Sequence, residues 1–151
     1  TGSLIWGHNY IGDVYKYEKS IQISSLVMEI FSMLVDKSTF ISDLIIKNTV
    51  YFEFLFDDYA FNILNEGVDQ YNSFSSKGNL YEKEVFIYIQ CWVGLVYKIL
   101  CRFYNYKASD PIKNYINKGD FVDFLKEFQY FDNDISSKAI SILSEYFPEY
   151  D

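Results

Sequence analysis

The sequence predicts an all-α protein, a compact bundle of six or seven helices around a buried central helix at about residues 80–105. Only two Pro and seven Gly occur in 151 residues, which argues against a turn-rich β-sandwich. Apolar side chains recur at helical spacing along most of the chain, and one long segment is apolar nearly all round. Half of the residues are hydrophobic and a chain of this length can bury one core, so we expect a single domain over residues 1–151.

The chain begins with its least regular segment, residues 1–19, which holds three of the seven glycines and shows no sustained 3.6-residue period. We therefore expect an irregular N-terminal arm, followed by the helical bundle at residues 20–151. A first helix is predicted at about residues 20–36, and Ser38 or Thr39 can cap a second helix after it. The first helix is predicted from apolar residues at helical spacing: Ile23, Leu26, Val27, Ile30, Phe31, Leu34 and Val35.

Residues 51–67, YFEFLFDDYAFNILNEG, combine six aromatic side chains with four carboxylates. The first part alternates as a strand would, but no helix breaker interrupts the run from 48 to 66, so its length favours a helix. Gly67 is expected to end this helix as a C-terminal cap. A kink near Asn48 and Thr49, or near Asp57 and Asp58, is the alternative to a straight helix.

The longest predicted helix is the central one, from Leu80 to Asn105, and its middle reads VFIYIQCWVGLVYKIL. Such a helix is expected to be covered on several sides, and Gly94 in its interior indicates a close crossing by a neighbouring helix. Three further helices are predicted in the sequences SDPIKNYINKGD, FVDFLKEFQYF and ISSKAISILSEYF, and Asp120 is expected to cap the second of them.

Few residues are suited to catalysis or metal binding. His8 is the one histidine, and Cys91 and Cys101 lie ten residues apart on one predicted helix, so neither a catalytic triad nor a zinc site is expected. Phosphate-binding glycine loops, EF-hand loops and Glu-x-x-His motifs are absent from the sequence. We therefore expect no enzyme and no cofactor. Two carboxylate pairs leave an enzymatic alternative open, although a solvated helix face is the simpler explanation: Glu53 with Asp57, and Asp123 with Glu127.

Charge and hydropathy restrict the ligands that the sequence favours. A net charge of −8 repels phosphate backbones and anionic membrane surfaces, so direct binding of nucleic acid or membrane is not expected. The longest uncharged run of the most apolar segment, residues 85–97, is shorter than the roughly 18 residues that indicate a membrane span. The two cysteines are too far apart along a helix to pair, which fits a reducing compartment, and a cytoplasmic protein is expected.

Acidic residues are concentrated in two segments. Residues 48–76 contain five acids and no base, and residues 119–151 contain eight acids and two lysines, whereas residues 97–118 carry five bases and one acid. Tyrosine beside carboxylates is typical of surfaces that bind Lys and Arg. If both acidic segments share one face, they form a site for a basic protein partner. The candidate partner-binding residues are Glu53, Asp57, Asp58, Tyr59, Glu66, Asp69, Asp120, Asp123 and Glu127.

These features predict a small acidic protein-binding inhibitor. Its most concrete form is an immunity protein or antitoxin that neutralises a basic, nuclease-type toxin by protein–protein contact. The alternative is a viral or cellular adaptor whose apolar groove accepts an amphipathic partner helix. Its central helix is loosely similar in arrangement to that of Bcl-2-like proteins, whose signature motifs this sequence lacks. A homo-oligomer is also left open, because 31 aromatic residues exceed what one small core readily needs.

Overall fold

A computed structural model of the chain describes residues 2–37, 40, 44, 48–72, 82–103, 109–118 and 120–150. These residues contain six α-helices packed against one another, two short 3-10 helices and no strand, which confirms the all-α bundle. Of the predicted second helix after Thr39, only Phe40 and Leu44 are described, both helical and exposed; the rest lies outside the described residues. The elements are α1 (Gly2–Lys37), the 3-10 helix η1 (Thr49–Leu55), α2 (Asp58–Asn72), α3 (Glu82–Phe103), α4 (Ser109–Lys118), α5 (Phe121–Phe128), α6 (Asn133–Tyr146) and the 3-10 helix η2 (Pro148–Tyr150).

The N-terminal segment differs from its prediction. The irregular arm expected at residues 1–19 is wrong, because α1 runs as one helix from Gly2 to Lys37. Glycine weakens a helix by about 1 kcal/mol per residue, but no proline interrupts this segment and a helix propagates easily once part of it is formed.

The packing of α1 also differs from the face that the sequence indicated. Its buried row is Ile21, Ser25, Met28 and Val35, whereas Ile23 and Ile30 are exposed. The hydroxyl of Ser25 donates to the carbonyl of Ile21 at 2.9 Å, which satisfies a polar group inside the bundle. Apolar residues lie on both sides of this helix, so their spacing alone does not identify the side that packs.

The central position of α3 is confirmed, since α1, α2, α4 and α6 all contact it. Trp92 is fully buried, and its indole lies 5.8 Å from the ring of Phe121 and 6.4 Å from that of Phe128. Over Lys83–Arg102 this helix is long and apolar enough to cross a membrane by length and composition, but half of that window is buried inside the bundle. Its other buried side chains are Val85, Tyr88, Ile89, Val93, Leu95, Val96, Ile99 and Leu100.

The segment predicted as one helix from 48 to 66 is divided. The 3-10 helix η1 ends at Leu55, Phe56 leaves helical geometry with φ −128° and ψ 19°, and α2 begins at Asp58. The kinked alternative is therefore confirmed. Capping accounts for the division: Asn48 accepts a hydrogen bond from the amide of Val50 at 3.2 Å at the start of η1, and Asp57 accepts one from the amide of Ala60 at 2.8 Å at the start of α2.

Gly67 does not end α2, which continues to Asn72. It lies instead where α2 crosses α3, and a Cβ there would fall 2.1 Å from Cδ1 of Ile89. The close crossing is therefore at Gly67 and not at Gly94, where a Cβ would meet only Nζ of Lys138 at 3.5 Å. Asp120 precedes α5 in a left-handed conformation with φ 60° and makes no side-chain capping hydrogen bond, contrary to its predicted role.

Candidate functional site

The two acidic segments are neighbours in the fold. Helices α2 and α5 pack together, and the ring of Phe61 lies 5.9 Å from that of Phe121 and 4.9 Å from that of Phe124. Phe121 and Phe124 are buried, whereas Phe61 is 37% exposed. The contact is thus a seam of phenylalanine rings that reaches the surface.

Exposed polar side chains flank this seam on both helices. On α2 they follow the helical repeat, with Asp58, Asn62, Asn65 and Asp69 on one face. None of the acids of this surface forms an ion pair or a side-chain hydrogen bond with another residue of the described part of the chain. We call this region the acidic surface, and its members are Asp58, Phe61, Asp69, Asp120, Asp123 and Glu127.

Two of these acids occupy electrostatically unfavourable positions. Asp69 lies in the last turn of α2 and Glu127 in the last turn of α5, where the helix dipole disfavours a negative charge. Glu127 also follows Asp123 by four residues, so like charges adjoin on one helix face. Both positions are therefore unfavourable for a carboxylate in the free protein.

Asp57 has a structural role. It is the N-cap of α2, because its Oδ1 accepts a hydrogen bond from the amide of Ala60 at 2.8 Å. Its charge also acts on the phenol of Tyr88 in the core, whose pKa is raised mainly by burial and further by Asp57. Asp57 is exposed, but its side chain already forms the capping hydrogen bond at the start of α2.

Three other predicted site residues bind within the molecule. The hydroxyls of Tyr59 and Ser20 on α1 are 2.7 Å apart, and the Tyr17 hydroxyl donates to Glu66 at 3.4 Å. These contacts attach α2 to α1. Glu53 accepts a hydrogen bond at 3.2 Å from a tyrosine of α4, Tyr115. Of the nine candidate residues, five are exposed on or beside the adjacent helices α2 and α5 and the other four form internal contacts; the five are Asp58, Asp69, Asp120, Asp123 and Glu127.

Aromatic residues that the sequence did not single out extend the acidic surface. Tyr130 is 73% exposed just after α5, and its carbonyl accepts a hydrogen bond from the hydroxyl of Tyr71 at the end of α2. The ring of Tyr71 stacks on Phe131 at 4.2 Å. The pairing of these tyrosines depends on the packing of α2 against the end of α5, which local sequence does not indicate.

Two lysines of the basic segment contact other helices, whereas Lys118 ends α4 two residues before Asp120. Lys98 on α3 forms a 2.6 Å ion pair with Asp36 and also donates to the hydroxyl of Ser32 at 2.6 Å. Lys113 on α4 stands over the ring of Phe147, 5.7 Å from its centroid. Among the described residues, neither Lys98 nor Lys113 forms an ion pair with an acid of the acidic surface.

A second feature is a groove of about 810 Å³ above α3, between α1 and α6. Its floor includes Cys91 and Gly94, and apolar side chains such as Met33 and Ile87 reach its edge. Charged side chains also line it: Glu29, Asp36, Lys98, Arg102 and Lys138. The groove is therefore amphipathic, and not the purely apolar groove of the adaptor alternative.

Neither carboxylate pair considered as an acid–base pair lines this groove or the smaller one of about 540 Å³ beside Lys83 and Asp132. Among the described residues, no group of three or more His, Cys, Asp or Glu side chains is arranged to hold a metal ion. Cys91 and Cys101 are free thiols, the first half-buried and the second exposed.

Comparison with known proteins gives no relative: no family model, no curated protein and no solved structure matches this chain.

Proposed function

We propose that this protein is a small acidic inhibitor that binds a basic protein, and most concretely an immunity protein or antitoxin against a nuclease-type toxin. One observation carries the proposal: exposed acids from two separate segments flank the packed helices α2 and α5 beside the exposed rings of Phe61 and Tyr130, and none of them forms an ion pair within the described residues. Such a surface combines aromatic area with carboxylates that pair with Lys and Arg. A basic active site that binds nucleic acid is complementary to it in charge.

The unfavourable positions of Asp69 and Glu127 support this reading. A carboxylate in the last turn of a helix costs a few tenths of a kcal/mol to about 1 kcal/mol. Residues that reduce the stability of the free protein are common where a surface serves a partner. The partner's cations would remove this cost, so part of the binding energy comes from relief of repulsion in the free inhibitor.

The proposal is tested by capture on immobilised protein from a lysate of the source organism, washed in parallel at low and at high salt. Four baits are compared: the wild-type chain, Asp69→Asn with Glu127→Gln, the control Glu145→Gln with Glu149→Gln, and an empty matrix. Both variants lose two exposed charges, but Glu145 and Glu149 lie outside the acidic surface. The expected result is one basic protein that binds wild type and control, is depleted by high salt, and is lost from the Asp69/Glu127 variant.

Inhibition is then measured on the captured protein. Its nuclease activity is assayed with increasing amounts of the acidic chain, and we expect complete inhibition at a one-to-one ratio. A captured protein that retains activity in the complex would contradict an inhibitor, even if its binding depends on Asp69 and Glu127. Equal capture by both double variants would remove the acidic surface from the interface.

A second candidate function is an adaptor that accepts an amphipathic helix, and the groove above α3 favours it. The groove follows α3 from Ile87 to Arg102, about 22 Å at 1.5 Å per residue. This is enough for roughly four turns of a partner helix. The Asp69→Asn with Glu127→Gln variant separates the two functions, because it removes charges from the acidic surface and leaves the lining of the groove unchanged. Either function fits the cytoplasm, the location that the free thiols favour.

A further inference from the structure

Gly94 lies in the interior of α3, where glycine weakens a helix relative to alanine. Unlike Gly67, it does not serve a close helix crossing, because an added Cβ would meet only Nζ of Lys138, 3.5 Å away. Gly94 instead lies on the floor of the groove of about 810 Å³ between α1 and α6. A volume of this size is typical of small-molecule sites. The fold thus leaves space at Gly94 that its own packing does not use.

The two helices α1 and α3 border this groove in a fixed register. Three side-chain contacts each join a residue of α1 to the residue of α3 that lies 62 positions later in the chain. The contacts are Gln22 with Glu84, Glu29 with Cys91, and Asp36 with Lys98. The helices are therefore parallel, and the level of each α1 residue along α3 is known. Gly94 divides the groove into two halves that differ in chemistry.

The half that runs from Gly94 to the C-terminal end of α3 is basic. Lys98 is neutralised by its 2.6 Å ion pair with Asp36. Arg102 and Lys138 form no ion pair within the described part of the chain. Two cations without a carboxylate partner are a local exception in a protein of net charge −8. This half of the groove is complementary in charge to an anion.

The other half, toward Ile87, offers apolar contact. Met28 is buried on the floor, and Ile87 and Met33 are exposed at the edges, with Met33 level with Leu95. The acid of this half, Glu29, already accepts a hydrogen bond from Cys91 at 3.8 Å. Methionine side chains adapt to irregular apolar ligands. The distance from Gly94 to Ile87 along α3 is about 10 Å at 1.5 Å per residue, which suits an alkyl chain.

Lys138 reaches from α6 into the middle of the groove. Its Nζ stands over Gly94, and its charge acts on the neighbouring thiol. Burial and the charge of Glu29 raise the pKa of Cys91, and the ammonium of Lys138 opposes them. A partner helix laid along α3 would have to displace this ammonium, whereas a small anion pairs with it. The position of Lys138 therefore favours a small ligand.

We propose that the groove binds a small organic anion with an apolar body, of the class of long-chain carboxylates. The carboxylate lies in the basic half, at Lys138 and toward Arg102. The chain lies over Met28, Met33 and Ile87, and Gly94 leaves the room for it. This site goes beyond the inhibitor function, because no residue of the acidic surface takes part in it.

Isothermal titration calorimetry with dodecanoate, below its micelle concentration, tests the proposal. We expect one site with a dissociation constant on the order of 10 to 100 µM. Dodecyltrimethylammonium has the same chain and a positive head, and it should bind at least about tenfold more weakly. This order is the reverse of what a net charge of −8 alone would give. Hexanoate, with the same head and half the chain, should also bind at least about tenfold more weakly.

Variants locate the site. Arg102→Gln with Lys138→Gln should weaken dodecanoate binding at least about tenfold, and the control Lys113→Gln with Lys118→Gln on α4 removes the same charge outside the groove and should not. Gly94→Leu fills the floor and should abolish binding. Its fold is checked by circular dichroism, since leucine is a better helix former than glycine. Gly94→Ala, a smaller change at the same position, should retain measurable binding.

Three results would overturn the proposal. The first is no dodecanoate binding up to about 1 mM. The second is binding of dodecyltrimethylammonium as tight as that of dodecanoate, which would show that the groove does not select an anion. The third is dodecanoate binding that survives both Gly94→Leu and the Arg102/Lys138 variant, which would place it on another apolar surface. None of these substitutions touches α2 or α5, so the inhibitor function and this site can fail separately.

Discussion

The indole nitrogen of Trp92 donates a hydrogen bond to the backbone carbonyl of Leu55, 2.7 Å away, with both residues fully buried. Leu55 is the last residue of η1, so this bond joins the central helix to the point where the chain bends toward α2. The bend would otherwise leave a carbonyl without a partner inside the core, and the bond allows α2 to start beside α3.

Replacement of Trp92 by Phe is expected to destabilise the protein by about 2–4 kcal/mol, since it leaves the Leu55 carbonyl unpaired and creates a cavity. Urea unfolding followed by circular dichroism measures this change. The effect should exceed that of Leu95→Val, which removes one methylene from a neighbouring buried position without exposing a polar group. A loss for Trp92→Phe below about 1 kcal/mol would show that the carbonyl finds another donor.

Gly67→Ala and Gly94→Ala are expected to act in opposite directions. At Gly67 the new methyl meets Ile89 and Val85, both buried, and the protein should lose about 1–3 kcal/mol. At Gly94 the methyl has room and the helix gains up to about 1 kcal/mol from alanine's propensity. Thermal melts compare the two variants. Ile89→Val in the Gly67→Ala background removes the clashing methyl and should recover part of the loss, and no recovery would mean that the clash lies elsewhere.

These glycines illustrate what sequence can predict of this fold. The all-α class and the central helix follow from long apolar periodic segments, and both are confirmed. The positions of helix ends depend on competing effects. Gly67 can end a helix or permit a close crossing of two helices, and only the position of Ile89 in the fold shows that it does the second. The buried face of α1 is similarly undetermined by sequence, because Ile21 and Ile23 are equally apolar but only Ile21 is buried.

Asp57→Ala is expected to cost about 1 kcal/mol, the usual loss of an N-cap, whereas Asp58→Ala loses only a favourable dipole interaction of a few tenths. Both residues are exposed acids in adjacent positions, so each is the control of the other. Chemical denaturation measures both changes. Asp57→Asn should restore most of the stability because asparagine also caps helices, and equal losses for Asp57→Ala and Asp58→Ala would contradict the capping role.

The candidate site was predictable as a set of acidic segments but not as a surface. Charge counts identify the segments, and Asp58 and Asp123 are on the surface as expected. Sequence could not show that Asp57 caps a helix or that Glu66 contacts α1, because both depend on where the chain bends. The sequence did not identify Tyr130 as a candidate residue, because its exposure depends on where α5 ends and on its contact with Tyr71.

The two cysteines are expected to differ in reactivity. Burial, assisted by the charge of Glu29, raises the pKa of the Cys91 thiol from 9.0 to about 11, whereas Cys101 is exposed. The thiolate is the reactive form, so iodoacetamide at pH 8 should modify Cys101 at least about tenfold faster than Cys91. Peptide mass spectrometry over time measures both rates, and denatured protein is the control in which they should converge. Comparable rates in the native protein would contradict the burial of Cys91.

The raised pKa of Cys91 in the folded protein predicts a loss of stability in alkali. The folded-state pKa of Cys91 is the higher one, so its contribution is fully present below about pH 9 and is lost as the pH rises toward 11, where the unfolded thiol ionises first. The buried phenol of Tyr88 shifts in the same direction. Urea unfolding between pH 8 and 11 measures the decline. Cys91→Ala should flatten it between pH 9 and 11, and an identical decline would assign the effect to other groups.

Neutralising the acids in the last turns of α2 and α5 is expected to stabilise the free protein. Asp69→Asn and Glu127→Gln each remove a carboxylate from the negative end of a helix dipole, which should add a few tenths of a kcal/mol to about 1 kcal/mol apiece. Asp58→Asn, at the favourable end of α2, should lower stability although it changes the net charge equally. Thermal melts at low salt measure the three changes, and salt should reduce them all. If all three substitutions raise stability alike, general charge repulsion and not the position in the helix is the cause. If Asp69 and Glu127 behave as predicted, the protein retains two destabilising carboxylates on the surface proposed to meet a basic partner.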